Sequence, residues 1–109
     1  MPYSSPVRVI ATRVYDKRAA KLLAGPARAA AELSIAVAPE HWPVIAGTGG
    51  CRKARIALDG RGKRGGARVI YFFATSAGRV YLLDVYAKNE KEDLSNDDKK
   101  ALRAIVRAL

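Results

Sequence analysis

The sequence predicts an α+β fold in the order β-α-α-β-β-β-α, a helix hairpin and a C-terminal helix packed on a mostly antiparallel sheet. Two changes of hydrophobic period predict it. Apolar residues recur at helical spacing over residues 15–38 and again over 95–109. Between them, residues 51–58 alternate with a period of two, and residues 67–75 and 79–87 are near-continuous apolar runs. Gly and Pro clusters fall between these segments. The 109 residues fit one domain, residues 1–109. Half of the residues are hydrophobic and 28% are charged, the balance of a globular chain.

Each element follows from its own residues. Residues 7–12 (VRVIAT) are Val/Ile-rich and predict a short strand. Tyr15, Ala19, Leu22 and Leu23 then lie on one helix face, and Gly25-Pro26 stops that helix. Residues 27–38 predict a second helix with Leu33, Ala36 and Val37 on its apolar side, ended by Pro39. Residues 39–50 hold two prolines and three glycines and predict a loop. In residues 51–58, Ala54, Ile56 and Leu58 share one strand face, and Lys53 and Arg55 share the other. Residues 59–66 (DGRGKRGG) predict a glycine-basic turn. The two apolar runs after it read as the central hairpin of the sheet, covered on both faces. Ser95, with Asp98 three residues on, predicts a capping box. Leu102, Ile105, Val106 and Leu109 supply the face of the helix that follows.

The charge points to phosphate. There are 20 Lys+Arg against 10 Asp+Glu, a net charge of +10. Residues 49–88 carry net +7, against +3 before them and zero after. Arg52, Lys53, Arg55, Arg61, Lys63, Arg64 and Arg68 crowd into seventeen positions, beyond what solubility requires. Gly60, Gly62, Gly65 and Gly66 are interleaved with them, so the backbone could approach a sugar-phosphate chain. The segment is no Walker loop, because Ala57 and Arg64 stand where Gly and Ser/Thr are needed. No apolar run approaches the roughly 20 residues of a membrane span, and residues 1–12 lack a signal-peptide pattern. A single cysteine, Cys51, suits a reducing cytoplasm.

Few other chemistries are supplied. With one histidine, His41, and one cysteine, the sequence predicts no metal site and no cofactor. Trp42 beside His41 reads as a packing residue. What remains is a cluster of Lys53, Arg55, Arg68 and Lys88 near strand ends. Such cations can bind RNA, and they can also assist its cleavage. RNA carries its own nucleophile, the 2′-OH, and needs a proton acceptor, cations for the phosphorane and a donor for the 5′-oxygen. Arginine stays charged and suits the second task; lysine can serve the first.

Residues 44–73 (VIAGTGGCRKARIALDGRGKRGGARVIYFF) and 81–95 (YLLDVYAKNEKEDLS) resemble the RelE/HigB superfamily of bacterial toxins. The match is to the HigB-type branch, through the GTGG turn, the RK-x-R strand, the GKRGG loop and the Y-x-KNE-x-x-DL exit. The resemblance implies a RelE-like fold and a type II toxin neutralised by a cognate helix-turn-helix antitoxin. It implies a metal-independent endoribonuclease that cuts mRNA in the ribosomal A site, leaving a 2′,3′-cyclic phosphate and a 5′-OH. The family's two strand-borne cations fall on Lys53 and Arg55, and its next arginine on Arg68. Arg61, Lys63, Arg64, Lys88 and Lys91 are then expected to bind RNA. A later family arginine falls near Asn89, and a proton-donating tyrosine near Ser95, so the general acid stays unassigned, with Tyr86 and Tyr71 as substitutes if their rings reach the site. Two alternatives remain: a ParE-like gyrase inhibitor, and a basic RNA-binding domain without catalysis.

Overall fold

A computed structural model describes residues 7–58 and 66–109. The elements run β1 (Arg8–Ala11), α1 (Arg13–Leu22), α2 (Gly25–Val37), β2 (Arg52–Ile56), β3 (Ala67–Ala74), β4 (Arg79–Ala87) and α3 (Asn96–Ala108). They form a four-stranded sheet of order β1-β4-β3-β2. β1 runs parallel to β4, and the other two pairings are antiparallel. The predicted order and the mostly antiparallel sheet are therefore both present.

The sheet is buried on both faces, which is why β3 and β4 read as continuous apolar runs. On one face lie Tyr15 and Ala19 from the first helix, Leu23 just after it, and Ala31 and Ile35 from the second helix. They pack on Ala54, Val69, Tyr71, Val80 and Leu82. On the other face, Leu102 of α3 joins Cys51, Ile70, Leu83, Tyr86 and Leu94. β2 is an edge strand and has one apolar face, so its sequence alternates. A register shift at Ile70/Tyr71 leaves Leu83 unmatched on β4 and bends the ladder there.

Local chemistry sets the helix ends. Thr12 caps α1 by accepting from the Tyr15 N–H, and its hydroxyl donates to the Leu82 carbonyl at 2.7 Å. The second helix begins at Gly25, two residues before the predicted start, with Pro26 in its first turn, where a missing N–H costs nothing. Its expected apolar side is also corrected. Leu33 and Val37 are 64% and 74% exposed, and Ala31 and Ile35 are buried instead. Ala31 and Ile35, four residues apart, make the face that meets the sheet, and Leu33 and Val37 lie off it. Arg28 locks the hairpin: its guanidinium reaches Asp16 at 2.7 Å and Glu32 at 2.9 Å. Tyr15 donates to the same Glu32 carboxylate at 2.9 Å. Gly50, at φ +115°, turns the chain into β2, and a Cβ there would lie 3.2 Å from Phe72.

Candidate active site

The basic residues of β2 and β3 are aimed by what their neighbours bury. Ala54 and Ile56 face the helix hairpin, so Lys53 and Arg55 turn to the opposite side. Arg68 does the same between the buried Ala67 and Val69. The ladder sets Arg55 opposite Arg68, and Arg68 opposite Tyr86. Arg55, Arg68 and Tyr86 thus form one row across three strands, with Lys53 two residues along. As the edge residue of this row, Arg55 also borders a groove of about 450 Å³ beside α2.

Among the described residues, neither Arg55 nor Arg68 has a carboxylate within ion-pair distance. The Arg68 Nη1 donates to the Ala67 carbonyl at 3.1 Å. A Cβ on Gly66 would stand 3.2 Å from that nitrogen and 3.1 Å from the Ile56 carbonyl, so a side chain at 66 would crowd it. Lys53 does have a partner, the Asp93 carboxylate at 3.5 Å. Asp93 is 83% exposed, so this pair is weakly held, of the surface class worth roughly 0–1 kcal/mol.

The segment between β4 and α3 lies over Tyr86 and Lys53. Lys91 places its ammonium 4.9 Å from the centre of the Tyr86 ring and 3.3 Å from the Asp98 carboxylate. Burial pushes the Tyr86 hydroxyl above its usual titration range. Arg68 opposes that shift, and Asp93, Asp84 and Asp98 add to it. Its oxygen is buried and has no hydrogen-bond partner. Tyr71 is on the other side of the sheet, where its hydroxyl donates to the Pro39 carbonyl at 2.8 Å. Of the two tyrosines considered from sequence, only Tyr86 lies beside the cations.

Other expected residues are dispersed. Lys88 is exposed at the end of β4, and its N–H donates to the Gly66 carbonyl at 2.9 Å. Arg61, Lys63 and Arg64 lie outside the described residues. Trp42 packs against the hairpin-side core, with the His41 ring edge-on at 4.8 Å. Among the described residues no cluster of three His, Cys, Asp or Glu could hold a metal, and no helix is long and apolar enough to cross a membrane.

A family model described as the RelE toxin of the RelE / RelB toxin–antitoxin system matches residues 8–109. The chain belongs to the RelE toxin family. It is the toxin type of a toxin–antitoxin system. Among solved structures, a double arginine-to-alanine mutant of E. coli toxin RelE in the free state superposes with a TM-score of 0.62. That match covers 96% of this chain and 100% of the other at 17% identity, which establishes a shared RelE fold. The contact of Asp93 with Lys53, forty residues away in the chain, is not among the features expected from the sequence.

Proposed function

We propose that residues 1–109 form one toxin domain of the HigB-type branch, a cytoplasmic, ribosome-dependent mRNA endoribonuclease neutralised by a cognate antitoxin. The observation that carries this reading is the Arg55–Arg68 pair, two opposed cations without a described carboxylate, next to Lys53. A phosphodiester is the ligand that resolves such a pair, because one anionic group lies between two charge-assisted donors. Lys53, after releasing its own proton to solvent beside the crowded arginines, takes the proton of the 2′-OH as a neutral amine. The 2′-oxygen attacks phosphorus, and Arg55 and Arg68 hold the charge that grows on the non-bridging oxygens. The P–O5′ bond breaks and the leaving 5′-oxygen takes a proton from water, leaving a 2′,3′-cyclic phosphate and a 5′-OH. Asp93 contacts Lys53 only weakly in the free protein, and an incoming phosphate displaces it. Lys88, Lys91 and the Arg61, Lys63 and Arg64 segment bind the backbone of mRNA or ribosomal RNA.

The test is cleavage of a defined message on programmed ribosomes, with RNA ends mapped and their termini identified. Cleavage confined to the A site, with a cyclic phosphate and a 5′-OH, is the expected result. Intact message together with inhibited gyrase would replace this reading with the ParE-like one. Ribosome binding without cleavage would leave only the RNA-binding domain.

A further inference from the structure

Three tyrosines are fully buried in this fold, and two of them have hydrogen-bond partners. Tyr15 donates to Glu32 at 2.9 Å and Tyr71 to the Pro39 carbonyl at 2.8 Å. Tyr86 has no partner, and its oxygen is the only buried side-chain N or O atom among the described residues so placed. An unpaired buried hydroxyl is a cost that phenylalanine would avoid while filling the same space. The exception falls beside Arg68 in strand register, in the row of candidate cations.

We propose that the Tyr86 hydroxyl is a catalytic hydrogen-bond donor to the phosphate received by Lys53, Arg55 and Arg68, reached when Lys91 and Asp93 are displaced. The inference rests on the endoribonuclease reading above. No proton is transferred from Tyr86 in this step. Its O–H bonds to a non-bridging oxygen, and the bond strengthens as that oxygen gains charge. The cover is built to yield to an anion. Asp93 is a carboxylate on Lys53, so a phosphate takes its place by exchange of like for like. Lys91 is held by Asp98 and by the face of the Tyr86 ring, and it is itself a cation that a phosphate chain attracts. The charged groups acting on the hydroxyl are Arg68, Asp84, Asp93 and Asp98, with Lys91 over the ring. Burial keeps the phenol protonated at neutral pH, the form that donates.

Tyr86→Phe tests this directly, because it removes one oxygen and keeps the ring. Thermal melting, ribosome binding and single-turnover cleavage on programmed ribosomes are measured for both proteins. The expected result is unchanged or raised melting temperature, binding within about twofold of wild type, and cleavage slowed about 10²-fold, the scale of losing one oxyanion donor. A phosphorothioate at the scissile non-bridging position should slow wild type more than it slows Tyr86→Phe. Cleavage by Tyr86→Phe at the wild-type rate overturns the inference and leaves the endoribonuclease reading intact. A variant that melts well below wild type overturns it too, since the hydroxyl would then serve the fold. Failure of wild type itself to cleave sinks the endoribonuclease reading, and this inference with it.

Discussion

Arg55 of β2 and Arg68 of β3 are direct cross-strand partners, two guanidinium-bearing residues set opposite each other on one face of the sheet. Like charges in this relationship destabilise a sheet by a few tenths of a kcal/mol to about 1 kcal/mol. A carboxylate at either position would turn the repulsion into attraction. The arrangement is explicable as a site waiting for an anion, and two predictions follow from that cost and its purpose.

Arg68→Ala should lower single-turnover cleavage by roughly 10²–10³, equivalent to about 2–4 kcal/mol of transition-state stabilisation. Ribosome binding should fall far less, because one phosphate contact among several is lost. Stability should hold or rise slightly as the repulsion with Arg55 disappears. Arg79→Ala is the control: Arg79 begins β4 at the end of the sheet away from this row. Wild-type cleavage by folded Arg55→Ala and Arg68→Ala proteins would move the active site elsewhere.

Ribosome binding should weaken steeply with salt. If about six phosphates are neutralised, log K should fall with log salt at a slope near −4 to −5, from about 0.7–0.9 per contact. The measurement is ribosome binding between about 50 and 200 mM salt, the window in which counterion release dominates. A flat curve would remove the phosphate footprint assigned to residues 52–68.

These sites were legible in the sequence to different depths. The alternation over Arg52–Ile56 was readable because an edge strand with one buried face must alternate, and it separated Lys53 and Arg55 from Ala54 and Ile56. The Arg55–Arg68 pairing was not, since it depends on ladder register. Nor was the outward turn of Leu33 and Val37: an alanine-rich helix offers two faces, and the packing of Ala31 and Ile35 into the core decides between them. The lack of a partner for the Tyr86 hydroxyl is a property of everything around it, and no local pattern encodes it.

Arg28→Ala should destabilise the helix hairpin by about 1–3 kcal/mol, the scale for losing hydrogen bonds between charged groups. Arg28 bridges α1 and α2 through Asp16 and Glu32, and it also lies 5.3 Å from the centre of the Tyr15 ring. Its removal leaves Glu32, among the described residues, with the Tyr15 hydroxyl alone. Urea denaturation at neutral pH reads the loss directly. Arg28→Lys should recover little of it, because an ammonium cannot reproduce the guanidinium's separate Nε and Nη2 bonds to two carboxylates.

The start of α3 should give the protein an acid-sensitive step. Ser95 accepts from the Asp98 N–H at 3.0 Å, and Asp98 accepts from the Ser95 N–H at 3.0 Å. The Ser95 N–H is the main cause holding the Asp98 carboxyl below its ordinary value of 3.8, with Lys91 helping. A carboxylate with a lowered folded-state pKa stabilises above its unfolded value and loses that contribution as pH falls through the folded one. Asp98→Ala should therefore cost about 1 kcal/mol at pH 6, the usual scale for a helix cap. The difference from wild type should shrink as pH drops below about 4, where Asp98 of the unfolded chain begins to protonate, and should be lost as pH falls through the lower folded value. Stability measured by urea unfolding at several pH values checks this. A difference that stays constant down to pH 2 would mean that the cap contributes without its charge.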